Sequence, residues 1–264
     1  MDRRHVCDSQ ALSASAQQGS SKPSRWPAAA TLTGVTAAIL AGGLGTRLRP
    51  AVADRPKVLA TVHNRPYLTY LLDQLAAASV DEVVLLTGYR SDQVYHTLGE
   101  AYGRVRLHYS PEPSPLGTAG AVRNALPKLA SGMLLLMNGD SFCEVDLAAF
   151  GTFNRRHAAD VSLVVTRVAD SSRYDRVRIN GAGRVTGLEQ KRPEGGPAWI
   201  NAGVYLIGRR MIQEIPCGRP VSLEREMLPA WIDQRRVYGL RCPGRFLDIG
   251  TPDSYAQATS FFRP

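Results

Sequence analysis

"AILAGGLGTRLRP", residues 38–50, sets an apolar run directly against a glycine-rich turn that carries two arginines. The apolar half reads as a buried strand ending near Ala41, after which Gly42, Gly43 and Gly45 permit positive-φ backbone and close approach of a ligand. Successive N–H groups in such a turn form a concavity for an anion, and Arg47 and Arg49 add charge-assisted contacts suited to phosphate oxygens. Two familiar phosphate loops do not fit. A dinucleotide fingerprint needs glycine where Leu48 stands, and a Walker loop needs Gly-Lys-Ser/Thr, which is absent. A turn serving only the fold stays open at this point, because glycines alone are weak evidence.

Outward from this stretch the pattern alternates. "TAAILA" reads as a strand, "PYLTYLLDQLAAA" as a helix, "EVVLLTG" as a strand and "SDQVYHTLGEAY" as a helix. "VRLHYS" follows as a short strand, "TAGAVRNALPKL" as a helix and "MLLLMNGD" as a buried strand. Strand followed by helix, repeated, predicts a Rossmann-like α/β fold, with a mixed, mainly parallel sheet flanked by helices and ligands bound beyond the strands' carboxyl ends. After Asp146 the pattern turns to strands and a hairpin around Asn180 to Gly183, then closing helices near 223–234 and 252–262. We expect one domain over 35–264, its nucleotide-facing half at about 35–146 and its substrate-facing half at about 147–264. Residues 1–34, rich in Ser, Ala and Gln without periodicity, read as a disordered extension with no signal-peptide core.

Composition narrows the class further. The 264 residues carry a formal charge of +9, but the basic residues are scattered and no aromatic-and-basic module stands out, so nucleic acid is not the expected partner. No apolar run reaches the roughly 18 residues of a membrane span. The positive charge is nearly all Arg, with Lys only at 22, 57, 128 and 191, which draws attention to each surviving lysine. Cys7, Cys143, Cys217 and Cys242 are far apart in sequence and form no CxxC pair, so neither a structural disulfide nor a zinc site is expected, and a reducing cytoplasm fits best. Oligomeric state is left open, a homo-oligomer included.

Several ordered stretches carry a resemblance: "LAGGLGTRLRP" followed by "RPKVL", "PLGTAGAV" at 115–122, "NGDSF" at 138–142, "INAGVYLI" at 200–207 and "FLDIGTPDSY" at 246–255. Together they resemble the sugar-1-phosphate nucleotidyltransferases, and within them the short heptose- and mannose-1-phosphate guanylyltransferases. The resemblance implies the nucleotidyltransferase, GT-A-like version of the fold and a Mg²⁺-dependent reaction of a nucleoside triphosphate with a sugar 1-phosphate. It implies that Arg47 holds the triphosphate, that Lys57 bridges the reacting phosphates, and that Asp140 and Asp248 are the metal carboxylates. Asp140 at the end of an apolar strand suits a hard cation beside phosphates, although a helix cap is its plain alternative.

The turn from Ala41 through Thr46, with Gly88, Gly117, Thr118 and Asn138, is expected to bind the nucleotide, and Gly117 and Thr118 read equally well as an ordinary helix start. The resemblance places Tyr174, Glu189, Lys191, Asn201 and Gly203 around the sugar phosphate. There the match departs from the family pattern: Asp175 replaces a glycine after Arg173 and Tyr174, and Gln190 replaces the glutamate before Lys191. A UTP- or dTTP-using enzyme and a non-catalytic nucleotide-sugar-binding subunit are the rival expectations.

Overall fold

The structure is a computed structural model that describes Leu32 and residues 35–263. The first half of the chain, to Asp146, begins with β1 (Thr36–Ala41), the two-residue strands β2 (Thr61–Val62) and β3 (Arg65–Pro66), α1 (Leu68–Ala77) and β4 (Glu82–Thr87). It continues through α2 (Ser91–Leu98), β5 (Ala101–Tyr102), β6 (Val105–Pro111), α3 (Gly117–Asn124) and β7 (Met133–Asn138). The second half adds β8 (Ser141–Cys143), α4 (Leu147–Arg156), β9 (Val161–Val168), β10 (Arg176–Ile179), β11 (Val185–Glu189) and β12 (Ala198–Gly208). It closes with α5 (Arg209–Gln213), a π-helical turn at Leu223–Met227, α6 (Leu228–Gln234), β13 (Val237–Cys242), β14 (Phe246–Asp248), α7 (Pro252–Ala256) and α8 (Ala258–Phe261).

One ten-stranded sheet runs through both halves. The apolar runs that alternate with helices form its parallel part, β7, β1, β4 and β6, as the pattern predicts. β12 then pairs antiparallel with β7 and carries β9 and β10, so the second half is an extension of the same hydrogen-bonded ladder. Alternation along β1 feeds two cores: Ile39 packs with Leu68, Leu72 and Phe150 on one face, and Ala38 with Leu136, Tyr205 and Trp231 on the other.

Register decides where a ligand goes. Ala41 lies opposite Thr87, Leu40 opposite Asn138, and Thr87 opposite Pro111, so four parallel strands end level and release their loops at one edge.

Element boundaries differ from the sequence reading where local chemistry intervenes. The helix expected through Tyr102 stops at Leu98, because Gly99 adopts φ +65° and the chain returns as β5. The helix expected over 118–129 starts at Gly117 and breaks after Asn124 into a 3₁₀ turn at Leu126–Lys128 that contains Pro127. The expected hairpin is present, its turn closed by Asn180 Oδ1 accepting from the N–H groups of Ala182 and Arg184 at 3.0 Å. Within 1–34 only Leu32 is described; it is buried, filling the space that a Cβ on Gly151 would need, and the rest of that expectation lies outside the described residues. Cys143 on β8 and Cys242 at the end of β13, far apart in sequence, come near each other as free cysteines, and the Cys242 thiol donates to Glu144 O at 3.4 Å. Among the described residues no helix is long and apolar enough to cross a membrane.

Candidate active site

The level strand ends frame a cavity of about 500 Å³ whose walls include Ala41, Gly42 and Gly43 after β1, Gly88 after β4, Glu112 after β6, and Asn138 to Asp140 after β7. Gly42 is required by close approach: a Cβ there would lie 2.6 Å from Glu112 Oε1 and 3.1 Å from Gly88 N. The Tyr89 N–H donates to Gly42 O at 3.3 Å, so the β1 and β4 loops are joined backbone to backbone. Gly45, Thr46 and Arg47 continue the turn, with Thr46 and Arg47 exposed, and no helix follows this phosphate-type loop. Tyr89 forms part of the wall and is flanked by the Arg49 and Arg90 guanidinium groups, 5.6 and 5.2 Å from its ring centre.

At the opposite end the charged groups converge. Lys57 Nζ donates to Asp140 Oδ2 at 2.7 Å, with the lysine side chain 11% exposed and the aspartate 45%. Asp140 does not cap a helix, since α4 is capped by Asp146, whose Oδ1 accepts from the Ala148 and Ala149 N–H groups at 2.9 Å. Beside it β14 pairs with β8, setting Asp248 opposite Ser141, and the Ile249 N–H donates to Asp140 O at 2.8 Å. Asp248 accepts from Arg173 at 2.7 Å, from the Gly250 N–H at 2.8 Å and from the Tyr174 hydroxyl. Burial and the carboxylate of Asp248 push the Tyr174 hydroxyl pKa up, keeping it a donor. Thr251 and Ser254 form a capping box on α7, as expected for Thr251 followed by Pro252, which leaves the Asp248 carboxylate to these other partners.

The remaining expected residues divide. Asn201 and Gly203 sit on β12, with Gly203 against Asn138: Gly203 holds φ +75°, and a Cβ there would lie 2.7 Å from both Asn138 Nδ2 and Ser141 Oγ. Asn138 keeps its buried Oδ1 without a hydrogen-bond partner. Glu189 ends β11 and lies 3.4 Å from Arg178 Nε, whereas the Lys191 side chain is exposed and its N–H donates to Asp175 Oδ1 at 2.9 Å. The Asp175 carboxylate therefore pins the loop after β11. Gly117 and Thr118 border the cavity, yet their distinctive chemistry is turned away from it. A Cβ on Gly117 would strike Val221 O at 2.5 Å, and the Thr118 hydroxyl donates to Glu224 at 2.8 Å while accepting from the Leu223 N–H at 2.7 Å.

A model of the nucleotidyl transferase family matches residues 36–263. The chain belongs to that family. Mannose-1-phosphate guanylyltransferase of Mycobacterium tuberculosis is 35% identical over 230 residues, 86% of this chain; the match spans 64% of that relative, just under two thirds of its length. D-glycero-alpha-D-manno-heptose 1-phosphate guanylyltransferase of Aneurinibacillus thermoaerophilus is 34% identical over 224 residues, 84% of this chain and 96% of that protein. Among solved structures, HddC from Yersinia pseudotuberculosis complexed with GMP-PN is similar at TM-score 0.77 and 28% identity, over 87% of this chain and 100% of that one.

For this nucleotidyl transferase, two site residues escape the sequence reading. Glu112 is half-buried at the uncharged end of the cavity, where its Oε2 accepts from the Leu116 N–H at 2.6 Å, and burial raises its carboxyl pKa. Its signal is positional, because it lies at the same carboxyl edge as Gly42 and five residues before Gly117. Arg173 reads in the sequence only as a neighbour of Asp175, and it meets Asp248 because the ladder of β14 on β8 fixes where that aspartate lies.

The donor set is compatible with a small hard cation. Among the described residues no group of three or more His, Cys, Asp and Glu side chains is gathered for a metal, and the acidic oxygens at the charged end come from Asp140 and Asp248. Mg²⁺ suits such a site, since it binds through one or two carboxylates and completes its shell with water and substrate phosphate.

Proposed function

We propose that this chain is a sugar-1-phosphate guanylyltransferase, joining GTP to mannose 1-phosphate or D-glycero-α-D-manno-heptose 1-phosphate to give a GDP-sugar and pyrophosphate. The observation that carries the reading is the polarity of one cavity: accept-only carboxylate oxygens of Glu112 at one end, and Lys57 paired with Asp140 at the other.

An ionised carboxylate offers two acceptor oxygens and no donor. Guanine presents two adjacent donors, its ring N–H and its amino group, and matches that pair. Uracil and thymine present one ring N–H between two carbonyls, and one of those carbonyls would face a carboxylate oxygen. The spare lone pairs of Glu112 remain available while Oε2 holds the Leu116 N–H.

In the reaction a sugar-phosphate oxygen attacks the α-phosphorus of GTP, and the bond to pyrophosphate breaks on the opposite side. Two anions have to approach, so the protein's work is positioning and charge neutralisation. Lys57, largely buried beside Asp140, sets a compact positive charge between the reacting phosphates. The turn around Gly43 to Arg47 offers N–H groups and a guanidinium to the leaving pyrophosphate. Tyr174, Asn201, Glu189 and Lys191 belong to the sugar side, and the unpaired Asn138 Oδ1 offers an acceptor between the halves. Asp140 and Asp248 would hold Mg²⁺, which when bound supplies charge neutralisation at the phosphate oxygens. The substrates are water-soluble metabolites, and we place the reaction in the cytoplasm.

The test is pyrophosphate release with Mg²⁺ over a grid of GTP, ATP, UTP, CTP and dTTP against mannose, heptose, glucose and N-acetylglucosamine 1-phosphates. Release that requires GTP together with one of the manno-configured phosphates is expected. Release confined to UTP or dTTP would replace the base, and tight nucleotide binding without release for any pair would favour a non-catalytic subunit.

A further inference from the structure

The Leu223–Met227 stretch winds as a π-helical turn, a geometry that often marks a functional position. Its start is closed without Glu224: Ser222 Oγ accepts from the Arg225 N–H at 3.2 Å, and Glu226 Oε1 accepts from the Ser222 N–H at 2.9 Å. The Glu224 carboxylate is instead spent inward. Its Oε2 accepts from Thr118 Oγ1 at 2.8 Å and from Ser222 Oγ at 3.3 Å, and its Oε1 accepts from the fully buried Tyr205 hydroxyl at 3.3 Å. That hydroxyl in turn accepts from Asn201 Nδ2 at 2.7 Å.

The relay has one direction. A carboxylate only accepts, so the single Tyr205 proton points to Glu224, and the Tyr205 oxygen is left to accept from Asn201. This fixes the Asn201 amide with its nitrogen towards Tyr205 and its oxygen towards the Gly203 N–H, 3.0 Å away. Reversed, the amide would offer Tyr205 an oxygen when its only proton is already committed. The other end of Glu224 rests on α3, whose start is held independently by the Ala119 and Gly120 N–H groups donating to Val221 O at 3.0 and 3.2 Å. The carboxylate is therefore anchored on the nucleotide side and acts on the sugar side.

We propose that Glu224, acting through Tyr205, is the positioning residue that sets which atoms of the Asn201 amide face the sugar; the sugar role of Asn201 rests on the guanylyltransferase reading above. Glu224→Gln keeps size and lets the amide oxygen hold Thr118, but it presents N–H groups to Tyr205 and so reverses the relay. Tyr205→Phe removes the middle of it.

The experiment measures KM for each substrate and kcat in wild type, Glu224→Gln, Tyr205→Phe and the double variant, with thermal melting and the side-chain ¹⁵N amide resonance of Asn201 recorded for each. Expected are a roughly tenfold rise in sugar 1-phosphate KM in either single variant and no further rise in the double variant. GTP KM should stay within about twofold in all three variants. The Asn201 amide resonance should shift and lose its protection from solvent exchange in the same variants. An unchanged Asn201 amide would overturn the proposal, as would KM values that rise together in proportion to lost melting temperature. If wild type performs no guanylyl transfer, the functional reading fails, and the amide resonance still decides whether Glu224 positions Asn201.

Discussion

The two sides of the cavity are made by different means. The side proposed to take the nucleotide is made by backbone: β1, β4, β6 and β7 end level, and the Gly42 and Gly88 loops touch directly. The side proposed to take the sugar is made by hydrogen-bonded side chains, Arg173 and Tyr174 on Asp248, and Asn201 on Tyr205, which in turn holds Glu224. A site shaped by backbone resists side-chain exchange and fails when a Cβ is added. A site held by hydrogen-bonded side chains can be retuned by isosteric changes with the fold intact, which suits the proposed task of distinguishing one sugar from another.

The largest effect should come where the two sides meet. Asp140→Asn is expected to lower kcat about a hundredfold or more while the melting temperature falls only modestly, because the aspartate side chain is 45% exposed and the amide oxygen that replaces it still accepts from the largely buried Lys57. Turnover close to wild type would remove Asp140 from the mechanism, and steady-state kinetics beside a melting curve decides it.

Next is Gly203→Ala, which adds a Cβ at φ +75° within 2.7 Å of Asn138 and Ser141. A loss of about 1–3 kcal/mol in denaturant unfolding is expected, together with weaker binding of both substrates, since the strain falls at the seam. Unchanged stability would show that the seam yields more easily than the contact distances imply.

Glu112→Gln should sharpen the comparison, because it changes side-chain chemistry on the backbone-built side. The preference for GTP over UTP and dTTP is expected to fall roughly tenfold, since the amide gives up one acceptor for a donor. Stability should stay level or rise. Burial raises the Glu112 pKa in the folded state, so the fold holds that proton more tightly than the open chain; this group favours folding in acid and costs stability once ionised at neutral pH. For the same reason GTP KM in wild type should climb on acidification sooner than an ordinary glutamate would dictate. Selectivity ratios that survive in Glu112→Gln would contradict its part in reading the base.

The smallest effect belongs to Thr251→Ala, which removes the α7 cap beside the charged cluster: about 1 kcal/mol of stability, with kcat nearly unchanged. A large fall in kcat would show that the cap also fixes Asp248.

This division also explains what was readable in the sequence. Apolar runs with glycines at their ends identify parallel strands and the loops after them, so Gly42 and Asp140 stand out in one dimension, and Lys57 stands out as one of only four lysines. Glu112 does not, because it follows a strand whose alternation hides its end and lies among prolines that read as plain loop. Tyr205 lies inside a quoted motif, but its hydroxyl matters only once Glu224 is beside it, and the apolar spacing of 223–234 reads as continuous helix with no sign of the π-helical turn that aims Glu224 inward. Arg173 and the Cys143–Cys242 contact depend on β8, β13 and β14 coming together, which no local pattern announces.

The central claim is that one cavity brings GTP and a sugar 1-phosphate together for transfer. The most direct measurement is ³¹P NMR of the enzyme with GTP, Mg²⁺ and mannose 1-phosphate, repeated with the heptose phosphate. The account predicts that one of the two sugars gives diphosphate-ester resonances of a GDP-sugar growing in step with pyrophosphate, and that neither product forms when either substrate is left out. Pyrophosphate accompanied by GMP, or a sugar phosphate resonance that never changes in either mixture, would contradict it.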